Sequence, residues 1–492
     1  MNPTEQPTRN LAEQLSLHAR QRPTKAAIVL GSKVLNFKEL DLCVRHRAAR
    51  LLDIGIKPNQ VIGIALHDSI EHVIMLYAVA RAGCVILPMD CRWKELEKQR
   101  VASHFEAATV IVEPGEAFEG TACIEVGQAW ESASLQSDLD RVFPDGNRGI
   151  AMSLSSGTTG RPKGPMVSHQ KFFYRFWAHW VDLGFGSRET YLNATPLYFG
   201  GGRAFSMSTL YAGATVVLYP PPYEPVDLAK EITRTASTTL FLVPTLLRRL
   251  LDCDPSSLEP FKKLKTLVSS GSALTANERV KIRENICPNF IEYYSSTEGG
   301  GISVLSPNDQ QRFGESVGRA VFGVEVQIVD ESHQVLPAGI VGRIRYRGPA
   351  VADGFYRDPQ ASLESFKDGW FYPGDLGNVN DEGFLFLKGR SKDMIIRGGI
   401  NIYPQEIETT LLNHEAVADA CVVGWPSREY DEEVAAFVTL RHPINLDELT
   451  GLCKTKLAPY KVPKQIFVVT ELPRNSLGKV IKVDLVKGLT PL

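Results

Sequence analysis

Residues 155–164, SSGTTGRPKG, hold three glycines, four hydroxyl side chains and one lysine within ten residues. Glycines let backbone N–H groups come close to a ligand, and Lys163 adds a positive charge, so the segment suits an anion such as a phosphate. It departs from the Walker A pattern because its first two glycines are only three residues apart and Pro162 precedes Lys163. The residues alone leave a phosphate-binding loop and a flexible surface loop equally open.

A second cluster, YYSSTEGG, places hydroxyl groups and one carboxylate directly after an apolar run. The Glu298 carboxylate suits Mg²⁺ that is held mainly by phosphate oxygens. The competing interpretation is an acidic residue in the first turn of a helix, because helix N-termini favour negative charge.

Two further motifs each hold one charged residue beside a glycine. Asp375 in GWFYPGDLG could accept hydrogen bonds from both hydroxyls of a ribose, and an Asp-containing turn is the alternative. Lys479 in PRNSLGKVIK follows Gly478, and a lone lysine in such a segment is typical of a solvated surface.

These motifs follow short apolar runs that alternate with helical stretches. Residues 67–83 predict a helix, with Asp68 or Ser69 as its N-cap and Gly83 at its end. Buried strands that alternate with helices predict an α/β fold, in which ligands lie where loops leave the strand ends. The strand-like runs are ATVIVEPG, GIAMSLSSG, TTLFLVPT, KTLVSSGSA and NFIEYYSST, and four of them end in clusters of Ser, Thr and Gly that could converge on one ligand.

The pattern changes from about Gly323, where EVQIVDESHQVLP and VGRIRYRG predict paired strands and GFLFLKGR predicts another. After Asp393, short helical and strand patterns predict a second, α+β domain of about one hundred residues. The polar break GRSKD is the predicted junction. The predicted division is an N-terminal domain of 1–389, a hinge of 390–393 and a C-terminal domain of 394–492.

Composition excludes several function classes. The 492 residues are 43% hydrophobic and 22% charged, as in ordinary globular proteins. A formal net charge of −2 argues against nucleic acid or an anionic membrane as a partner. The first residues lack a signal-peptide pattern and no apolar run is long enough to span a bilayer, so a cytoplasmic protein is expected. The eight cysteines form no CxxC pair and are expected to be reduced thiols.

Taken together, five motifs resemble, in their order, those of the AMP-forming adenylating enzymes, which are the acyl-CoA synthetases, the adenylation domains of peptide synthetases and the firefly-type luciferases. The motifs are SSGTTGRPKG, YYSSTEGG, GWFYPGDLG, GRSKDMIIRGGINIYPQEIE and PRNSLGKVIK. The resemblance extends from FKELD near the start to Lys479. It implies a large N-terminal domain of stacked α/β subdomains with a β-barrel-like part, followed by a small, mobile α+β domain.

For catalysis, the resemblance implies three residues. Thr297 would contact the α-phosphate of ATP, Glu298 would hold the magnesium ion, and Lys479 would bridge the substrate carboxylate and the α-phosphate. A carboxylate that attacks a phosphate meets strong charge repulsion, so a lysine and Mg²⁺ aimed at the developing charge suit this step. The products would be an acyl-adenylate and pyrophosphate, after which a thiol attacks the activated carbonyl.

For the nucleotide, the resemblance implies that Tyr294 stacks on adenine and that Asp375 and Arg390 hold the ribose. The loop rich in Ser and Gly would hold the β- and γ-phosphates, and a Gly-Ser-Ala backbone would lie along the adenine edge. The implied nucleotide-binding set is Ser155, Ser156, Gly157, Thr158, Thr159, Gly160, Lys163, Gly271, Ser272, Ala273, Tyr294, Ser295, Ser296, Asp375 and Arg390.

Residues 196–205, PLYFGGGRAF, match the acyl-pocket motif of these enzymes, where a histidine often follows an aromatic residue. Here that position is Phe199, and the absence of an acidic residue in the segment argues against an amino-acid substrate. Arg203 is either a structural arginine or a partner for a second substrate carboxylate. The aromatic run 171–180 is either an apolar pocket wall or core helix packing. The implied pocket residues are Tyr198, Phe199, Gly200, Gly201 and Ser270.

The resemblance further implies two half-reactions in two conformations, related by rotation of the C-terminal domain. The hinge residue would be Lys392, and a channel for the pantetheine arm of CoA would be lined by Arg397, Gly398 and Gly399. From the residues alone, the glycine pair predicts only a tight turn. The sequence departs from the usual family pattern at Pro165, Leu274, Ser295 and Pro373.

Only 13 residues follow Lys479, so no carrier domain is expected there and a free-standing ligase is implied. Such an enzyme would take ATP, Mg²⁺, a carboxylic acid (fatty, aryl or a diacid) and CoA. A carrier protein or an amine as acceptor, and a nucleotide-binding sensor without catalysis, are the alternatives. A second copy of the chain is a further partner to consider.

Overall fold

A computed structural model describes residues 10–143, 146–156, 162–474 and 480–490. The helix predicted in residues 67–83 forms as Ile70–Arg81. The Ser69 side chain accepts a hydrogen bond from the backbone N–H of His72, and Gly83 takes a φ of +72° just beyond the helix end. Both ends of this helix are therefore set by the residue types that the sequence indicated.

The helices of the described residues are mostly short. They are α1 (Glu13–Gln21), α2 (Phe37–Asp53), α3 (Ile70–Arg81), α4 (Glu95–His104), α5 (Gln128–Ser134), α6 (His169–Trp177), α7 (Gly200–Tyr211), α8 (Asp227–Thr235), α9 (Pro244–Leu251), α10 (Ala276–Asn285), α11 (Pro307–Gln310), α12 (Pro359–Ser365), α13 (Pro404–Leu412), α14 (Leu446–Lys456) and α15 (Lys482–Lys487). A π-helical turn, Ala178–Asp182, continues α6.

Most of the first fourteen strands alternate with these helices, as the sequence predicted. The fourteen strands are β1 (Ala26–Leu30), β2 (Lys33–Asn36), β3 (Val61–Ala65), β4 (Val85–Pro88), β5 (Ala107–Val112), β6 (Cys123–Glu125), β7 (Gly149–Met152), β8 (Ser155–Ser156), β9 (Pro162–Lys163), β10 (Met166–Ser168), β11 (Thr190–Asn193), β12 (Thr215–Leu218), β13 (Thr239–Leu242) and β14 (Thr266–Ser269). Strands β7 to β10 follow one another without a helix.

The second half contains more hairpins. The strands are β15 (Phe290–Ser296), β16 (Gly300–Leu305), β17 (Arg319–Ala320), β18 (Glu325–Val329), β19 (Gly342–Arg347), β20 (Phe366–Lys367), β21 (Trp370–Phe371), β22 (Asp375–Val379), β23 (Leu385–Arg390), β24 (Ile395–Arg397), β25 (Ile400–Ile402), β26 (Val417–Ser427), β27 (Asp431–Leu440) and β28 (Gln465–Val468).

Two large sheets build most of the N-terminal domain. One has nine strands in the order β17-β16-β15-β14-β13-β11-β12-β1-β2, and its central strands from β1 to β15 run parallel. The other has six strands in the order β10-β7-β4-β3-β5-β6. One buried apolar core includes residues of both sheets and of α2, α3, α6 and α7. The α/β class predicted from the sequence is confirmed.

The later strands form smaller units that are antiparallel except for the parallel pair of β27 and β28. Strands β20-β21-β19-β22-β23 make one sheet, with β18 paired to β19, so the predicted pairing of these last two runs is confirmed. Strands β25-β24-β27-β26, with β28 beside β27, make the sheet of the smaller C-terminal domain, which has a separate core. A 3₁₀ turn, Ser391–Asp393, lies between β23 and β24. The bounds of the predicted hinge stay a prediction.

The sequence also led to expectations about membrane-spanning helices and about the cysteines. Within the described ranges, the helices are all too short or too polar to cross a membrane. All eight cysteines are free thiols, as expected.

Candidate active site

The ends of β14 and β15 bring two predicted site segments together. The strands are parallel neighbours, with Ser269 opposite Glu292, so their following loops leave the same edge of the sheet. There the Ser270 and Ser295 hydroxyl oxygens lie 3.0 Å apart. Gly271 has a φ of +109°, a conformation that favours glycine. Ser295, where the family pattern has glycine, thus ties the two strand ends.

The hairpin of β15 and β16 carries Thr297 and Glu298 in its turn. The Ser296 hydroxyl accepts a hydrogen bond from Gly299 N–H at 3.0 Å and lies 2.5 Å from the Tyr346 hydroxyl. A Cβ atom on Gly299 would overlap the Tyr346 ring, so a residue without a side chain is required there. The turn is therefore closed by the Ser296 side chain and packed against Tyr346 of β19.

The backbone of Glu298 is held from a second side. Its carbonyl oxygen accepts hydrogen bonds from Arg175 Nη2 at 2.8 Å and from Ala352 N–H at 2.9 Å. Arg175 is buried, so this bond is formed away from water. The backbone of the turn that carries the Glu298 carboxyl is thereby held by residues outside the turn.

Burial raises the pKa of Glu298, and hydrogen bonding together with the positive charges of Arg175 and Arg390 lowers it in part. Among the described residues, no group of three or more His, Cys, Asp or Glu side chains is placed to hold a metal ion. One carboxylate with a neighbouring hydroxyl cannot satisfy Mg²⁺, which takes six oxygen ligands. This donor set therefore fits a magnesium ion whose other ligands are phosphate oxygens and water.

Asp375, Arg390 and Tyr294 form one hydrogen-bonded group. Asp375 and Arg390 are opposite each other in the antiparallel pair β22 and β23, and Arg390 Nε lies 3.2 Å from Asp375 Oδ1. The Tyr294 hydroxyl donates to Asp375 Oδ2. Burial, followed by the Asp375 charge, raises the pKa of Tyr294 well above its usual value, so this hydroxyl keeps its proton. Residues from β15, β22 and β23 therefore meet at one point.

The predicted phosphate loop lies between β8 and β9, which pair through Ser155 opposite Lys163. Lys163 Nζ lies 5.0 Å from the centre of the Phe355 ring, a cation–π contact. Tyr356 N–H donates to the Gly164 carbonyl at 2.8 Å. The base of the loop is thus fixed to residues 355–356, whereas Gly157, Thr158, Thr159 and Gly160 lie outside the described residues, as does Lys479.

The predicted acyl-pocket segment joins β11 to α7. Tyr198 is buried with the Arg92 guanidinium 5.5 Å over its ring, and Phe199 immediately precedes the helix. Gly200 borders open space, whereas a Cβ on Gly201 would lie 3.0 Å from the Phe241 ring. The segment therefore has one open glycine, Gly200, followed by two closely packed ones, Gly201 and Gly202.

A buried carboxyl supports this segment from the six-stranded sheet. Asp68 Oδ1 accepts a hydrogen bond from Leu197 N–H at 2.8 Å. Burial raises the pKa of Asp68 to about 6, while the hydrogen bond from Leu197 opposes that rise. Arg203 is 1% exposed and donates to the carbonyls of Leu197 and Tyr198, both at 3.2 Å. These bonds favour the structural interpretation of Arg203.

The aromatic run 171–180 forms α6 and its π-helical extension. Phe172 and Phe176 belong to the main core, which confirms helix packing for these two rings. His179 stacks on Phe205 with ring centres 4.1 Å apart and planes at 6°. Burial lowers the pKa of His179 to about 3, so the ring is neutral near neutral pH.

The predicted CoA-channel residues lie on the β24–β25 hairpin of the smaller domain. Gly398 and Gly399, at φ +53° and +79°, form its two-residue turn, which confirms the tight turn. Arg397 Nε lies 2.6 Å from a Glu433 carboxylate oxygen, and its guanidinium lies 4.2 Å from the centre of the Tyr430 ring. Lys392 is exposed in the 3₁₀ turn before this hairpin.

Sequence reasoning missed Arg175, Tyr346 and Phe355, each of which supports a predicted site residue. Arg175 carried a signal, because it is a charged residue within the aromatic run KFFYRFWAHW. Tyr346 alternates with arginines in RIRYRG, which predicts a buried position but no partner.

Family models match both parts of the chain. The model of the AMP-binding enzymes matches residues 15–356, and that of the AMP-binding enzyme C-terminal domain matches residues 406–479. The chain belongs to the AMP-binding enzymes. The resemblance drawn from its motifs is confirmed.

This AMP-binding enzyme has relatives of similar length. It is 32% identical to the indoleacetate–CoA ligase of Aromatoleum aromaticum over 96% of this chain and 97% of that protein. It is 29% identical to the 2-succinylbenzoate–CoA ligase of Listeria monocytogenes over 95% of this chain and 97% of that protein.

Solved structures resemble the AMP-binding enzyme along almost its whole length. The o-succinylbenzoate CoA synthetase of Bacillus subtilis with its acyl-adenylate intermediate has a TM-score of 0.87 at 26% identity, over 98% of each chain. ATP-bound MatB of Rhodopseudomonas palustris has a TM-score of 0.89 at 27% identity, over 97% of this chain and 98% of that one.

Proposed function

We propose that this AMP-binding enzyme is an ATP-dependent carboxylic acid–CoA ligase that works through an acyl-adenylate. The observation that carries the proposal is the meeting of Tyr294 with Asp375 and Arg390, beside the turn that holds Thr297 and Glu298. In this proposal, the ribose-binding residues lie next to the phosphate and magnesium site. Relatives named as CoA ligases that share nearly the full length support the same chemistry.

In this proposal the nucleotide lies along the ends of β14 and β15. Asp375 and Arg390 hold the ribose, Tyr294 contacts the base, and the backbone of Gly271–Ala273 follows the base edge. Arg248 Nη2 donates to the Ala273 carbonyl at 3.0 Å, which supports a fixed position for that edge. Lys163 and the loop before it hold the β- and γ-phosphates.

The first half-reaction joins the acid to AMP. A substrate carboxylate oxygen attacks the α-phosphorus, and the bond from that phosphorus to the pyrophosphate oxygen breaks. Thr297 positions the α-phosphate, and Lys479 neutralises charge on the carboxylate and phosphate. Mg²⁺, when bound at Glu298, offsets negative charge on the phosphate oxygens. Positioning and electrostatics carry this step, because no covalent enzyme intermediate is required.

The second half-reaction transfers the acyl group to CoA. The thiol sulfur attacks the acyl carbonyl carbon, the thiol loses its proton, and AMP leaves with the electron pair of the cleaved C–O bond. Rotation at Lys392 would bring the hairpin of Arg397, Gly398 and Gly399 to the pantetheine arm. The exposed, two-glycine turn of this hairpin supports such a role, since it presents backbone without side chains.

The acyl pocket suggests an acid without an α-amino group. Residues 196–205 contain no carboxylate that would pair with an ammonium group, and Phe199 supplies an aromatic surface. We therefore propose a fatty or aryl acid as substrate, used in the cytoplasm, where free thiols such as these eight persist.

Pyrophosphate release over a panel of fatty, aryl and dicarboxylic acids, with and without CoA, tests the proposal. We expect one acid class to give acid-dependent pyrophosphate, and CoA to give a thioester equal in amount to AMP. Acid-dependent pyrophosphate with no thioester would replace CoA by a carrier protein or an amine. No acid-dependent pyrophosphate with any acid would overturn the ligase and leave a nucleotide-binding sensor.

A further inference from the structure

Arg203 connects two loops that belong to different sheets. Its Nη1 donates to the carbonyls of Leu197 and Tyr198, and its Nη2 donates to the Ser153 hydroxyl at 2.9 Å. Leu197 and Tyr198 precede α7, next to the nine-stranded sheet. Ser153 follows β7 of the six-stranded sheet and stands two residues before Ser155, where the predicted phosphate loop begins.

The burial of Arg203 makes this connection unusual. Among the described residues, Arg203 has no carboxylate within ion-pair distance, and its Nε has no hydrogen-bond partner. Burial, and then the positive charge of Arg175, lowers the pKa of Arg203 to about 10, so the guanidinium remains charged near neutral pH. A buried cation without a counter-charge is costly. Its two NH₂ groups donate to the two loops.

Close packing and a second hydrogen bond also restrict the conformation of the acyl-pocket loop. Gly202 packs so closely on the 195–196 backbone that a Cβ there would overlap the Thr195 and Pro196 carbonyl oxygens. Asp68 fixes the Leu197 N–H from the side opposite to the carbonyl. Arg203 holds the carbonyl of the same residue, so both backbone polar groups of Leu197 are bonded, and the bond from Arg203 to Ser153 connects this loop to the six-stranded sheet.

We propose that Arg203 is a positioning residue that sets the acyl-pocket loop against the start of the phosphate loop, and so determines how well the acid is held for attack on ATP. The proposal rests on the acid–CoA ligase function. It replaces the idea that Arg203 binds a second substrate carboxylate, because both of its NH₂ groups already have protein partners.

The test measures KM for the acid and kcat in acid-dependent ATP–pyrophosphate exchange for Ser153→Ala, Arg203→Met and the double variant. We expect each single variant to raise the acid KM about tenfold or more, because each leaves buried polar groups unpaired and lets the loop shift. The double variant should be no worse than Arg203→Met, since both changes break the same connection. Ser153→Thr, which keeps the hydroxyl, should restore the wild-type KM.

Arg81→Met is the matched control. Arg81 is equally buried and donates to the carbonyls of Leu139 and Asp140 at 2.8 and 2.7 Å and to the Ser16 hydroxyl at 3.0 Å. Unlike Arg203 it also has a carboxylate partner, Asp41 at 3.3 Å, and it lies on α3 and touches neither loop. We expect it to lower the melting temperature without raising the acid KM.

An unchanged acid KM in Ser153→Ala would overturn the proposal, as would single effects that multiply in the double variant. If Arg203→Met does not fold, Ser153→Ala and Ser153→Thr still decide it. Wild-type protein without acid-dependent exchange would instead contradict the ligase function itself, so the two failures are distinguishable.

Discussion

Asp375 and Arg390 face each other across the antiparallel strands β22 and β23, with Arg390 Nε 3.2 Å from Asp375 Oδ1. Tyr294, which is 81 residues away from Asp375 in the chain, donates its hydroxyl to the same carboxylate. An aspartate held by an arginine and a tyrosine keeps a fixed orientation, as an acceptor for two ribose hydroxyls requires.

For this pair we expect Asp375→Ala to raise KM for ATP about tenfold or more, because the ribose loses its acceptor and Arg390 loses its partner. The KM for ATP is measured from the dependence of ATP–pyrophosphate exchange on the ATP concentration. Arg347→Met is the matched control, since Arg347 and Glu325 form a similar cross-strand pair with Nε 2.8 Å from the carboxylate on β18 and β19. An equal rise of the ATP KM in both variants would contradict a ribose role for Asp375.

Lys479→Ala should abolish adenylation and largely spare thioester formation from supplied acyl-adenylate. The reason is that Lys479 is proposed to neutralise charge only while the carboxylate attacks the α-phosphate. The two half-reactions are measured separately, by pyrophosphate exchange and by consumption of acyl-adenylate with CoA. Lys487→Ala, an exposed lysine paired with Asp484 on α15, is the control and should leave both unchanged. Equal loss of both half-reactions would count against two conformations.

Lys392→Pro should retain adenylation but reduce thioester formation from acid, ATP and CoA at least tenfold, which is the opposite of the effect expected for Lys479→Ala. Proline fixes φ near −65° and so prevents the backbone rotation that the hinge proposal places at this residue. Lys392→Ala removes the same side chain but leaves the backbone free, so it should behave as wild type. Unimpaired thioester formation in the proline variant would remove Lys392 from the hinge.

Stability should fall on acidification because two buried histidines are neutral in the folded protein. Burial lowers the pKa of His72 to about 4 and that of His179 to about 3. Below the ordinary value near 6.5 the unfolded chain binds protons that the folded chain does not, so stability is full above pH 6.5 and is lost as the pH falls. Between pH 6 and 5 each histidine should cost about 1 kcal/mol per pH unit, and the slope from His72 should decline near its folded-state pKa of about 4.

Urea unfolding between pH 7 and 4 measures this slope. His179→Leu should reduce the slope of the unfolding free energy with pH by the equivalent of about one bound proton, because the imidazole is gone. Phe185→Leu changes a ring 5.1 Å from Phe205 in the same aromatic cluster, and should lower stability equally at every pH. A slope unchanged in His179→Leu would show that His179 is not buried neutral.

The strands and helices could be predicted because their signals are local. Ser69 and Gly83 mark the ends of α3, and the apolar runs before the Ser, Thr and Gly clusters became β13, β14 and β15. The residue types of the site are local as well, since Ser-Ser-Thr-Glu and Gly-Asp are runs of consecutive residues at a strand end and a strand start. The sequence by itself therefore determined the fold class, the family and the residues available for chemistry.

Strand order and the support of the site were decided only by the tertiary structure. In the nine-stranded sheet β1 pairs with β12, although Ile28 and Val216 are far apart in the chain, and no periodicity reports that pairing. The same holds for the contact of Arg175 with Glu298, 123 residues apart, and of Arg203 with Ser153, 50 residues apart. Periodicity and caps describe neighbours along the chain, whereas these contacts depend on which sheets share a core. The partner of a buried arginine can therefore be identified only from the tertiary structure.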